Sequence, residues 1–407
     1  MVVPDISWET AEKVASALGG RTPHEGSYHY RSLGADFEEL TALAVEEVSA
    51  ATGMSVDGCL ARSEVLDRPA WVRANVGSIE WLFGSLAEHG NSAMERFGDD
   101  DAHDDGAHDD GASSHRQLPT TPYVLGAGFG AVFAWMSKRV LGQYDLLVVP
   151  RGLPSRDVLG ERSAGAGGMD LDTSGDLAAG GADLAPGEPV AGGTIYYVGP
   201  NVVSLEKRYG FAPRQFRLWI ALHEVTHWLQ FANAPWLKEY LVSLVRKAMG
   251  SFSSDPERLA AALKRLPGEL RARRARPGDL GMMGLLAEPE QLEVMRKVQG
   301  IMSLLEGHGN FVMNKVGSEL VSDTAHFNAV LKARRDSTPP MSKVLQRALG
   351  FDVKLRQYEQ GEAFVATVEA TGGSELLTRA WAGPENLPSL DEVRSPLQWV
   401  SRIEQSS

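Results

Sequence analysis

The chain has 407 residues, 43% of them hydrophobic, with a formal net charge of −13 and a single cysteine, Cys59. That length and apolar content suffice for a large core, in two or three domains or in one large helical one. The acidic balance argues against a nucleic-acid partner, which needs a basic face, and one cysteine excludes both an intramolecular disulfide and a cysteine-based zinc site.

Residues 1–96 read as an N-terminal helical region. Trp8, Ala11, Val14 and Leu18 recur at helical spacing, and Gly19-Gly20 stops that segment. A second amphipathic run covers Phe37 to Thr52, and a third begins near Asp67-Arg68-Pro69-Ala70-Trp71. No basic segment followed by an apolar run stands at the N-terminus, and the most apolar stretch, Val124 to Met136, is too short and glycine-rich to span a bilayer. The expectation is a cytoplasmic protein with no membrane partner. Residues 97–118 change character: Asp99, Asp100, Asp101, His103, Asp104, Asp105, His108, Asp109 and Asp110 stand among almost nothing apolar, which predicts a disordered acidic linker.

Residues 119–407 read as the main domain. Tyr144 to Val149 and Thr194 to Val198 look like strands that pair, with a Gly-, Ala- and Asp-rich insertion at 155–193 between them. From Pro213 nearly everything reads as helix, over 213–233, 236–250, 255–274, 288–306, 308–335, 341–349, 352–371, 374–381 and 389–404. Proline or glycine marks the breaks, among them Pro235, Gly307, Gly372-Gly373 and Pro388. The fold class expected is mainly α (α+β), with a small sheet.

The segment that carries chemistry is Leu222-His223-Glu224-Val225-Thr226-His227. Pro213 suits a first helical turn, and Asn233 and Pro235 mark the end of a helix roughly 30 Å long. Phe216, Ile220, His223, His227 and Phe231 follow a three-and-four spacing, so the histidines share the apolar stripe. Two imidazoles one turn apart reach one metal ion. Glu224 sits about 100° further round the helix, too far to ligate in the same way but close enough to hold a water at the metal. Zinc lowers the pKa of such a water towards 7, and Glu224 is placed to take its proton as general base and pass it to a leaving group. The plainer alternative is a helix that buries two histidines beside a glutamate, which leaves several polar groups in need of partners.

Catalytic zinc takes three protein ligands and an open position. The extended motif H-E-x-x-H-x-x-G-x-x-H is absent, with Gln230 and Asn233 in its Gly and His positions. The third ligand must come from elsewhere. Glu306, in Leu305-Glu306-Gly307-His308-Gly309, leads; His308 is the alternative and Glu239 a further candidate. Glu306 and His308 both reach the site only if Gly307 and Gly309 break the helix. Tyr358 is a possible oxyanion donor that reads more readily as core, and His326 a possible orienting group that reads more readily as surface helix.

The chain resembles the type 2 zincin-like metallopeptidase family, hydrolases without an established function. The blocks that carry the resemblance are Asp67 to Val76, Leu141 to Asp145, Tyr197 to Val202, Leu222 to His227 with Gln230-Phe231 and Pro235-Trp236-Leu237, Leu305 to His308, and Arg356 to Gly361 with Ala363-Phe364-Val365. They cover most of the chain and skip both low-complexity stretches. The resemblance implies a zincin-like fold whose active-site helix carries the H-E-x-x-H motif, zinc as cofactor, His223 and His227 as ligands, Glu306 as third ligand and Glu224 as catalytic base. It also implies an association with deazaflavin coenzyme biosynthesis genes. The expected function is zinc-dependent hydrolysis of a peptide or small amide; the alternative is a non-catalytic binding or scaffold protein on the same fold.

Overall fold

The computed structural model describes residues 5–20, 24, 26–56, 61–97, 120–145, 193–250, 289–336 and 351–406, without the side chains at 85–97, 249–250, 335–336 and 351–358. The acidic linker, nearly all of the glycine-rich insertion and the helices expected at 255–274 and 341–349 lie outside the described residues. The elements are α1 (Trp8–Gly19), α2 (Tyr28–Arg31), α3 (Leu33–Thr52), β1 (Arg62–Leu66), α4 (Arg68–Phe97), α5 (Thr121–Ser137), β2 (Gly142–Asp145), β3 (Thr194–Val198) and α6 (Gly199–Tyr209). There follow α7 (Pro213–Asn233), α8 (Trp236–Gly250), α9 (Pro289–Leu320), α10 (Thr324–Asp336), α11 (Phe351–Thr378), α12 (Leu390–Arg394) and α13 (Pro396–Gln405). The protein is mainly helical with one three-stranded sheet.

The sheet has the order β1-β3-β2. Strand β3 is buried along its whole length, as the apolar run Ile195-Tyr196-Tyr197-Val198 requires of a central strand. It pairs antiparallel with β2, Tyr144 opposite Ile195; the strand expected over 144–149 overlaps β2 at Tyr144 and Asp145, β2 begins two residues earlier, and the rest of the expected strand lies outside the described residues. On its other edge it pairs parallel with β1, Val65 opposite Tyr197. Strand β1 corrects the purely helical reading of residues 1–96. It is short, and its Ser63 and Glu64 hide the alternation that would announce a strand; a distant partner stabilises it instead.

Helix α7 runs between α3 on one side and α9 on another, with β2 alongside. Pro213 occupies its first turn, where a missing N–H costs nothing. From Phe216 to Gln230 nearly every position is buried, the pattern of a helix enclosed all round rather than one lying on a core. Phe216, Trp228, Leu222 and Leu229 belong to the main core, and each large apolar side chain so enclosed contributes about 1.5–3 kcal/mol. A smaller core lies on the other face of the sheet, where Trp71 and Val76 of α4 and Phe133 of α5 meet Tyr196 and Val198. Asp67 starts α4 by accepting the N–H of Ala70 at 2.7 Å.

The break expected at Gly307 does not occur. Helix α9 continues without interruption through Gly307 and Gly309 and ends at Leu320. The glycines serve packing: a Cβ on Gly307 would lie 2.1 Å from the carbonyl carbon of Gly361 on α11, so two backbones touch there. The break at Gly372-Gly373 does occur, with Gly373 at φ 71°. The single helix expected over 389–404 is two, α12 and α13, separated at Ser395 before Pro396.

Candidate metal centre

His223 and His227 lie one turn apart on α7, and α9 carries Glu306 across to them. His223 Nε2 and His227 Nε2 are 3.1 Å apart. Glu306 Oε2 lies 3.7 Å from the first and 3.8 Å from the second. All three side chains are mostly shielded but keep some exposure, 20%, 14% and 16% respectively, so the cluster opens to solvent on one side. They form a candidate metal-binding group among the described residues.

The donor set fits zinc. Ligand bonds of about 2.0–2.2 Å at tetrahedral angles separate ligand atoms by about 3.3–3.5 Å, and the observed edges bracket that spacing. Two imidazoles and a carboxylate are also the donors zinc prefers. Without a cation the cluster is electrostatically incomplete. Burial disfavours charge on the His227 imidazole, but contact with Glu306, and then the charge of Glu224, push it up to about 9.

Glu224 lies beside this triangle and is only 6% exposed. Burial raises the pKa of its carboxyl above the usual carboxylate range, with Glu306 adding to the rise and the two histidines and the backbone N–H of Tyr144 opposing it. Strand β2 holds it in place. A Cβ on Gly142 would lie 2.5 Å from the Glu224 carboxylate, so only glycine lets the strand approach this closely. Gly309 has the same effect on the histidines: its added Cβ would stand 3.1 Å from the His223 ring and 3.3 Å from that of His227.

The two ligand-type histidines are held differently. His227 Nδ1 pairs with Gln230 Oε1 at 2.9 Å. His223 Nδ1 is buried without a hydrogen-bond partner, against Gly309. Gln230 in turn sends Nε2 to the Leu305 carbonyl at 3.1 Å and to His308 Nδ1 at 2.9 Å. His308 is therefore not part of the donor triangle. Burial first, and the charge of His227 second, push its pKa down to about 3, which keeps the ring neutral.

Of the other candidates, Glu239 is exposed on α8 and outside the donor group. His326 is exposed on α10, edge-on to Phe211 at 5.3 Å, and does not join the cluster. The side chain of Tyr358 lies outside the described residues. Gln230 and Gly142 had no functional role assigned from the sequence, and Gly309 was read only as a possible helix break. Gln230 had one available signal, since three residues after His227 on a helix it must lie beside it. Gly142 had none, because its contact is made across the fold.

Comparison with known proteins places the whole chain among relatives. A family model described as a zincin-like metallopeptidase matches residues 6–400. Among solved structures, the chain is similar to a candidate hydrolase with a novel fold from Chloroflexus aurantiacus, with a TM-score of 0.61 and 25% sequence identity over 98% of this chain and 99% of that one. No curated protein matches.

Proposed function

The chain belongs to the zincin-like metallopeptidase family, and we propose that it is a zinc-dependent hydrolase that cleaves an amide bond in a peptide. The observation that carries this reading is the triangle of His223, His227 and Glu306 with the buried carboxylate of Glu224 at its side. His223 Nε2, His227 Nε2 and Glu306 Oε2 would hold the ion. Zinc, when bound, supplies Lewis acidity towards a carbonyl and acidifies a water.

Glu224 has the two properties a general base needs. It is fixed, by Gly142 and the Tyr144 N–H, and burial raises its pKa above the ordinary carboxylate value, the direction that favours a proton acceptor. Its carboxylate oxygen accepts the proton from water and returns it to the leaving nitrogen. Three protein donors leave a coordination position for substrate, whereas a fourth would favour a non-catalytic scaffold. The engagement of His308 with Gln230 supports the open arrangement.

The test is Glu224→Gln, assayed for chelator-sensitive cleavage of a mixed peptide pool and for zinc content by elemental analysis. The expected result is retained zinc with hydrolysis reduced by at least about 100-fold. A variant that cleaves like the parent would remove Glu224 from the mechanism.

A further inference from the structure

We propose that Gln230 and His308 act as a positioning relay that fixes which nitrogen of His227 faces the metal position. The argument starts from Leu305. Its carbonyl can only accept, so the Gln230 atom 3.1 Å from it must be the amide nitrogen. That settles an orientation which the shape of an amide leaves open. The same nitrogen donates its second hydrogen to His308 Nδ1 at 2.9 Å, so His308 accepts there and carries its proton on Nε2. The amide oxygen is then the atom facing His227 Nδ1 at 2.9 Å, and that nitrogen must be the N–H. The lone pair of His227 is left on Nε2, the atom directed at His223 and Glu306.

Every link is enclosed. Gln230 is fully buried and His308 is 2% exposed, so water competes poorly for these bonds. The arrangement ties two helices to one task. A single turn of α9 supplies Glu306 to the donor triangle and, through Leu305 and His308 on either side of it, fixes the amide that orients His227 on α7. Gln230 stands where the extended motif has glycine, so the relay uses a position that such a motif leaves without a side chain. Partners of this kind fix tautomer and ring orientation in metal sites. Gln230 and His308 are positioning residues; neither touches the reacting atoms.

The inference rests on the metal reading above, and its test separates the two. Zinc dissociation constants are measured by competition with a chromophoric chelator for the parent, His308→Leu, His308→Asn, Gln230→Leu and the Gln230→Leu/His308→Leu pair. His308→Leu and Gln230→Leu are each expected to weaken zinc by about 10–100-fold. His308→Asn keeps an acceptor where Nδ1 stood and is expected to restore most of the affinity. The double variant should lose no more than Gln230→Leu alone, because both act through one amide.

Unchanged affinity in His308→Leu, no rescue by asparagine, or losses that multiply would overturn the relay while leaving the metal site intact. A parent protein that binds no zinc would overturn both. Nitrogen NMR of labelled histidine in the zinc-loaded parent needs no variant and guards against a misfolded one. His227 protonated on Nδ1 and His308 protonated on Nε2 are expected; His308 protonated on Nδ1 would reverse the relay.

Discussion

Helix α7 carries two buried polar clusters, and they are built on opposite principles. Near its N-terminal end Arg217, 1% exposed, is saturated. Its Nε and Nη2 meet the two carboxylate oxygens of Glu206 at 2.7 and 2.9 Å, Nη1 pairs with Asp36 and with Ser32 Oγ, and Nη2 also reaches the His29 carbonyl. Every N–H of the guanidinium has a partner within the protein, and the buried Glu206 carboxylate meets a cation. Two turns further on, His223, His227, Glu224 and Glu306 bring two carboxylates and two imidazoles together with ring nitrogens 3.1 Å apart. The first cluster is closed by its own cation. The second has the donor geometry of a candidate metal site, a difference that burial alone does not reveal.

The sharpest way to break the comparison is Arg217→Ala. Removing the cation leaves Glu206 buried and uncompensated, and the loss expected is about 3–5 kcal/mol, read from urea denaturation. The loss should be the same with and without chelator, since zinc has no place in that cluster. An effect below about 1 kcal/mol would mean that the pair does not hold α6 and α3 to α7 as its geometry implies.

The second cluster should show the reverse dependence. Zinc at about 100 times its dissociation constant stabilises a protein that binds it only when folded by about 2.7 kcal/mol. Chelator is therefore expected to lower the melting temperature of the parent and to leave that of His223→Ala unmoved. A parent whose melting is indifferent to chelator would place the two clusters in the same structural class.

The smallest effect expected comes from Gly309→Ala, and its two parts differ in sign. Alanine favours the interior of α9 by up to about 1 kcal/mol over glycine, so the chelator-treated protein should be no less stable. Its Cβ presses on both imidazoles at 3.1–3.3 Å, so zinc binding should weaken several-fold. Parent-like zinc affinity in this variant would show that the rings have room to move aside.

The helix of the candidate site was legible because its signal is local. Pro213, Pro235 and the apolar positions between them mark out α7, and helical periodicity alone puts His223 and His227 one turn apart and Glu224 round the side. The pairing of β2 with β3 was legible in part: Tyr144 and Asp145 open the apolar run read as one strand and Thr194 to Val198 is the other, on either side of a Gly-, Ala- and Asp-rich stretch. Strand β1 was not, because its partner lies far along the chain and its own residues lack alternation. Gly307 was misread for a related reason: a glycine in a sequence looks like a stop, and only the backbone of Gly361 shows it to be a contact.

By itself, then, the sequence determined the helix, its two imidazoles and its carboxylate, since these depend on a repeat of 3.6 residues and on side-chain chemistry. Spacing could rank Glu306, His308 and Glu239 but had no means of choosing among them. The tertiary structure brings Glu306, rather than His308 or Glu239, to the two imidazoles by laying α9 across α7 with its helix unbroken. On a continuous helix Glu306 and His308 point in different directions, so one turn meets the open triangle with the carboxylate and the enclosed amide of Gln230 with the imidazole.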